Sequence, residues 1–149
     1  MKLITFRPPR IALTLLVATT VLHHLSPPNT FLHLPYKLLA TICVVVGFMV
    51  MMVAWSKFKK SDTAVCPTAQ TSRIVTDTIY RYTRNPMYLG MLLMLFGAAF
   101  FMGTIPAMLA PVGFFLIIDK VFIPYEEEDL ISSFGDEYGK YMAGTRRWL

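Results

Sequence analysis

Charge is scarce in this chain. Asp, Glu, Lys and Arg together make up 15% of its 149 residues, against 55% apolar residues. A soluble domain of this size has no use for so much apolar surface, and the apolar residues fall in long runs, as they do in membrane proteins. Cysteine is nearly absent. The two present are Cys43, inside an apolar run, and Cys66, in a polar segment. Their different depths argue against a disulfide, and neither has a histidine or second cysteine at metal-ligand spacing. Histidine is limited to His23, His24 and His33 around the first hairpin. His23 and His24 are adjacent and so point to different sides of a helix. They read as interfacial residues, and no metal site is assigned. No strand leads into a glycine-rich loop and helix, which excludes a Rossmann-type nucleotide fold. The formal charge is +5, yet the lysines and arginines flank the apolar runs and form no basic groove. Anionic lipid headgroups, not nucleic acid, are the partner this charge suits.

What the chain does have is one membrane domain spanning residues 1–149. The expected fold is all-α and polytopic, with four transmembrane helices near residues 9–26, 36–57, 86–103 and 105–123 and a cytoplasmic C-terminal helical segment. The first run, Ile11 to Leu25, is short for a span. Its basic flank resembles a signal peptide, but no small-x-small cleavage site precedes the following prolines, so it reads as a retained span. Gly103-Thr104-Ile105-Pro106 is an uncharged tight turn that makes spans three and four a close hairpin. Gly90, Gly97, Ala98 and Ala99 offer small faces for helix contact. Basic residues before span one, after span two and after span four fall on one side, with Lys37 opposite. Both termini and the long loop 61–85 are therefore expected in the cytoplasm, in the inner membrane if the source is a bacterium. Within that loop, Ile74, Val75, Ile79 and Tyr82 have the spacing of a short amphipathic stretch. Pro124 can begin a C-terminal helix, Gly135 ends or bends it, and Tyr138, Tyr141, Arg146, Arg147 and Trp148 suit a surface that folds back on the interface.

The chemistry concentrates in two clusters at the same ends of adjacent spans. One is Ile79-Tyr80-Arg81-Tyr82-Thr83-Arg84-Asn85-Pro86-Met87-Tyr88-Leu89-Gly90, at the mouth of span three. The other is Glu126-Glu127-Glu128-Asp129, beyond span four. Separately, each has an ordinary explanation: snorkelling arginines, interface-belt tyrosines, an acidic first helical turn. Together, opposite charges at one membrane face suit a zwitterionic or cationic small molecule.

The order and spacing of these blocks resemble the small integral-membrane methyltransferases, which include isoprenylcysteine carboxyl methyltransferases and phospholipid N-methyltransferases. Tyr80 to Gly90 is similar to the family's Tyr-Arg-x-x-Arg-His/Asn-Pro-x-Tyr-x-Gly. Ile123-Pro124-Tyr125-Glu126-Glu127 resembles its Glu-Glu pair, and Leu130, Phe134, Gly135, Tyr138 and Tyr141 resemble its last block. The resemblance covers the second half of the chain. It implies S-adenosylmethionine as cofactor, held by Ile79, Tyr80, Asn85, Pro86, Tyr88, Leu89, Glu126 and Glu127. It also implies methyl transfer to a lipid-like or amphiphilic acceptor at the cytoplasmic face. Arg84 and Arg81 are the candidates to hold the cofactor carboxylate or an anionic acceptor head. Three departures stand out. Thr78 occupies a backbone turn where many relatives have glycine. Asn85 replaces the histidine of the isoprenylcysteine enzymes. Gly144 stands where relatives often carry arginine, with Arg146 and Arg147 as the nearby substitutes. Two other readings stay open: a nicotinamide-dependent membrane reductase of related fold, and a non-enzymatic membrane assembly protein.

Overall fold

A computed structural model describes residues 8–25, 34–60 and 74–149, and every regular element among them is helical. Helix α1 covers Pro8–Leu25 and α2 covers Leu34–Lys60. A short 3₁₀ turn at Thr78–Arg81 precedes α3, Pro86–Met102. A second 3₁₀ turn at Pro106–Met108 leads into α4, Leu109–Ile117. A π turn at Ile118–Phe122 joins α4 to α5, Ile123–Phe134, and α6 covers Asp136–Gly144. Cys66, His33, Arg7 and the polar stretch 61–73 lie outside the described residues.

Helices α2 and α3 run antiparallel in close backbone contact. Ala40, Gly47 and Ala54 recur at seven-residue steps along α2, and all three are buried. Gly47 faces Gly90 of α3, and Ala40 faces Gly97. A Cβ added at Gly90 would stand 2.6 Å from the Gly47 carbonyl oxygen, and one at Gly97 would stand 2.7 Å from that of Ala40. Small residues on both sides let the two backbones touch, which is how apolar helices associate where no hydrophobic force separates them from lipid. Of the residues expected to serve this purpose, Gly90 and Gly97 lie in the contact. The rest of α2 projects outward: Leu38, Ile42, Val45, Met49 and Val53 are all exposed.

On the other side of α3 lies the core. Met91, Leu92 and Leu95 pack with Ala110, Phe114, Ile118, Phe122 and Ile123, and Ile11, Ala12 and Leu15 of α1 close over them. The threonines of α1 satisfy their hydroxyls locally. Thr14, Thr19 and Thr20 each donate 2.8 Å hydrogen bonds to the carbonyls of Arg10, Leu15 and Leu16, four residues back, so a polar group sits in apolar surroundings at little cost.

Two stretches, Lys37–Lys57 and Pro106–Phe134, are long and apolar enough to cross a membrane by length and composition, while α3 is a shorter apolar helix. The expected turn between spans three and four is present. Gly103 closes α3 in the left-handed conformation (φ 66°), its N–H bonding the Ala99 carbonyl.

Two expectations are corrected. Pro124 begins no separate helix, because α4, the π turn and α5 form one continuous rod from Pro106 to Phe134. Proline inside an α-helix loses one hydrogen bond and clashes with the carbonyl four residues back, here Lys120. The wider π turn just before Pro124 lets the rod pass through that defect. Second, residues 74–77 are not helical, so no amphipathic helix runs through Ile74 to Tyr82. The break lies at Thr78, whose φ of 56° is left-handed.

That angle also has a cost for the threonine at this position. A β-branched residue is held in the left-handed conformation that glycine adopts more readily. Left-handed backbone costs a residue with a Cβ about 1–2 kcal/mol. Thr78→Gly is therefore expected to stabilise the protein by about 1 kcal/mol, after part of the gain is offset by the greater unfolded-state freedom of glycine. Thermal unfolding in detergent micelles measures it, and a loss of stability would contradict the strain.

Candidate active site

The polar end of the helices is assembled by the antiparallel packing. It gathers the start of α3, the end of α2, α5 and the C-terminal segment. Lys57 of α2 meets Asp77 at 2.6 Å, which pins the segment leading into the 3₁₀ turn. Asn85 stands at the N-cap position with Pro86 at the first helical position, where a missing N–H costs nothing. The Asn85 side chain does not cap α3. Its Nδ2 donates instead to the Arg147 carbonyl at 3.0 Å.

Glu126 and Glu127 are neighbours on α5, so they point about 100° apart. Glu126 faces α3, where it accepts a 2.5 Å hydrogen bond from the Tyr88 hydroxyl. Glu127 is buried and faces two arginines. Its Oε1 accepts from Arg84 at 2.8 Å and from Arg147 Nε at 3.2 Å, and its Oε2 accepts from Arg147 at 2.5 Å. Arg147 thus grips both oxygens in a two-pronged geometry, which raises the affinity of its guanidinium for its proton. Arg147 also reaches Asp119 at 3.4 Å, and Trp148 Nε1 donates to the same Asp119 oxygen at 3.0 Å.

Arg84 is almost fully enclosed. Besides Glu127, it donates to the carbonyls of Met142 at 2.9 Å and Thr145 at 2.6 Å. Its Nε is buried with no partner among the described residues. Two arginines and two carboxylates, Arg84, Arg147, Glu127 and Asp119, therefore form one cluster, and the exposed Lys120 adds a third cation by pairing with Asp119 at 3.0 Å. Around it, the Tyr141 hydroxyl donates to the Tyr80 carbonyl at 2.6 Å. Burial pushes the phenols of Tyr80, Tyr138 and Tyr141 upward, that of Tyr138 to about 12. All three are neutral hydrogen-bonding groups at physiological pH.

Most of the residues nominated from sequence meet here. Tyr80 and Pro86 are buried, Asn85, Tyr88 and Leu89 half-buried, and Glu126 and Glu127 stand across from them on α5. Arg81 is different. It is exposed and lines a shallow open groove with Thr78, Ile79 and Tyr82. The sequence marks Asp119 and Lys120, near the end of span four, as groups that could pair with other side chains or reach the interface; it does not name Arg147 and Trp148 as the partners of Asp119. Arg147 reads from the sequence as part of a surface that folds back on the interface and as one of two substitutes near Gly144, while the tail's carbonyl partners leave no trace in side-chain identity.

An apolar helical bundle with its ionised groups gathered in a buried cluster at one end defines a membrane protein with a polar site at the ends of its helices. The chain belongs to the phospholipid methyltransferase family, whose sequence profile matches residues 35–137, more than half of its length. Among curated proteins it is 43% identical over 63 residues to an uncharacterized protein of Haemophilus influenzae, covering 42% of this chain and all of that one. It is also 38% identical over 71 residues to the protein-S-isoprenylcysteine O-methyltransferase of Schizosaccharomyces pombe, covering 46% of this chain and 29% of that enzyme. No solved structure matches the chain.

Proposed function

We propose that this protein transfers a methyl group from S-adenosylmethionine to a lipid-like or amphiphilic acceptor at the cytoplasmic face of the membrane. The observation that carries the reading is the convergence of the Arg84-Asn85-Pro86 segment, Tyr88 and the Glu126-Glu127 pair at one end of the helices, in a member of a methyltransferase family. In this reading Ile79, Tyr80, Asn85, Pro86, Tyr88, Leu89, Glu126 and Glu127 are the residues that hold the cofactor. The residues fit the cofactor's charges. Glu126, fixed by Tyr88 on one oxygen, suits the ammonium or the ribose hydroxyls. The unpartnered Nε of Arg84 suits the carboxylate. Arg81, on the open groove, is placed to meet an anionic acceptor head.

Bound there, the cofactor supplies an electrophilic methyl group. In-line displacement asks the protein for alignment and for exclusion of water. The buried Arg84–Glu127 pair gives a rigid wall for the first, and the tail packed over the start of α3 contributes to the second. An acceptor that carries long acyl or prenyl chains reaches such a site sideways, from between the helices.

Glu126→Gln keeps the shape and removes the charge. It is expected to weaken S-adenosylmethionine binding by about 1–3 kcal/mol, the worth of a charge-assisted hydrogen bond. Calorimetry in micelles tests this, with reduced nicotinamide dinucleotide as the competing ligand. Binding of the nicotinamide, and not of S-adenosylmethionine, would favour the reductase reading; binding of neither would favour an assembly protein.

The topology that belongs to this reading has four spans with both termini in the cytoplasm, in the inner membrane of a bacterial source. A cysteine placed at the exposed Ser132 is expected to react with an impermeant reagent only after the membrane is opened. Labelling in sealed cells would reverse the orientation.

A further inference from the structure

The C-terminal segment is hydrogen-bonded to the start of α3. The Arg84 amide donates to the Arg146 carbonyl at 2.9 Å, and the Arg147 carbonyl accepts from both Asn85 Nδ2 at 3.0 Å and Thr83 Oγ1 at 3.2 Å. The Thr145 carbonyl accepts from Arg84 itself. Three consecutive residues of the tail thus offer their carbonyls to three consecutive residues at the mouth of α3. The tail is anchored in turn through Arg147 to Glu127 and through Arg147 and Trp148 to Asp119 in the π turn.

The consequence for the two carboxylates is a division of roles. Glu127 already accepts three hydrogen bonds, two on Oε1 and one on Oε2, from Arg84 and Arg147. Glu126 uses one oxygen on Tyr88 and has capacity left, since an ionised carboxylate accepts about four hydrogen bonds. Of the adjacent pair, Glu126 is the better equipped to touch a ligand.

We infer that Thr145–Trp148 is a positioning strap, with Arg147 as its keystone. Through Glu127, Arg147 fixes Arg84 and Asn85 in the orientation that receives the cofactor, without touching the cofactor itself. This rests on the methyl-donor reading above. Arginine is required in this role because only its planar fork spans both Glu127 oxygens while a third nitrogen reaches Asp119. The tail's own backbone carries the contact to Asn85, so the effect on the ligand is indirect.

The test uses the full chain in micelles and two readouts. The first is calorimetric affinity for S-adenosylmethionine. Arg147→Ala is expected to weaken binding at least tenfold, and Arg147→Lys several-fold despite its retained charge. The Arg147 side chain is 34% exposed, which leaves a small cation a way in. Ethylguanidinium at millimolar concentration should therefore restore much of the affinity of Arg147→Ala, whereas ethylammonium should not. A purely structural role gives no such discrimination between the two cations. The second readout is hydrogen exchange without cofactor. Both variants should exchange faster at the Arg84 amide and at the first turn of α3, with the amides around Gly97 unchanged. A folded Arg147→Ala that binds within twofold of the native protein overturns the proposal, as does unchanged exchange at Arg84 in Arg147→Lys. Absence of S-adenosylmethionine binding by the native protein overturns the methyl-donor reading. The exchange readout then decides by itself whether the strap positions the Arg84 segment.

Discussion

Glu127→Ala is expected to lower the stability of the purified protein by about 3–5 kcal/mol, the usual cost of removing one partner from a buried ion pair. The side chains of Arg84 and Glu127 are each only 10% exposed. Without Glu127, Arg84 keeps two carbonyl partners but no counter-charge, and Arg147 loses both prongs of its grip and keeps Asp119, which it shares with Lys120. The loss should spread to the tail, because Trp148, next to Arg147, packs on Phe115 with ring centroids 5.1 Å apart. Detergent-titration unfolding, followed by tryptophan fluorescence, measures the change. Glu127→Gln should lose less, since an amide still accepts a hydrogen bond from Arg84. A loss below about 1 kcal/mol in Glu127→Ala would mean that the cluster is solvated and holds little.

A second large effect is expected at Gly90. Helix propensity alone favours Gly90→Ala by about 1 kcal/mol. Packing opposes it, because the new Cβ would lie 2.6 Å from the Gly47 oxygen and 2.9 Å from both the backbone nitrogen and the Cβ of Met51. Two of these three obstacles are backbone atoms, which cannot rotate aside, so α2 must move away from α3. Overpacking costs about 1–3 kcal/mol and sometimes more. Among the described residues, α2 leans appreciably only on α3 and on the 3₁₀ turn at Thr78–Arg81. Gly90→Val should exceed about 3 kcal/mol and release α2. The same unfolding titration, with a disulfide cross-link between α2 and α3 as a proximity probe, distinguishes the outcomes. Stabilisation of Gly90→Ala would show that the helices stand further apart than the structure places them.

The helices were legible because their signals are long and local. Apolar runs closed by Lys57 and Lys59, or by the Gly103–Pro106 turn, mark ends within a few residues of those observed. Gly90 and Gly97 announced a close contact, but their partners Ala40 and Gly47 did not stand out, because a seven-residue step of small residues is faint within a run that is apolar on all sides. The site was legible as far as its blocks of charge and aromatic residues reach. The continuous rod through Pro124 was not, since proline reads as a boundary and the π turn that accommodates it has no residue signature. The strap was not legible either: it works mainly through backbone carbonyls, and Arg147 and Asp119 are joined across 28 positions by folding alone.

The central claim is methyl transfer to a lipid-like acceptor, and its most direct measurement is label transfer. The purified protein, reconstituted in lipid nanodiscs, is incubated with S-adenosylmethionine labelled on its methyl group and a fractionated membrane lipid extract. The account predicts label in an organic-soluble product, with much less formed by Glu126→Gln at the same cofactor concentration. Label that stays wholly on the cofactor with every lipid fraction, from a native protein that is folded yet does not bind S-adenosylmethionine, would contradict it.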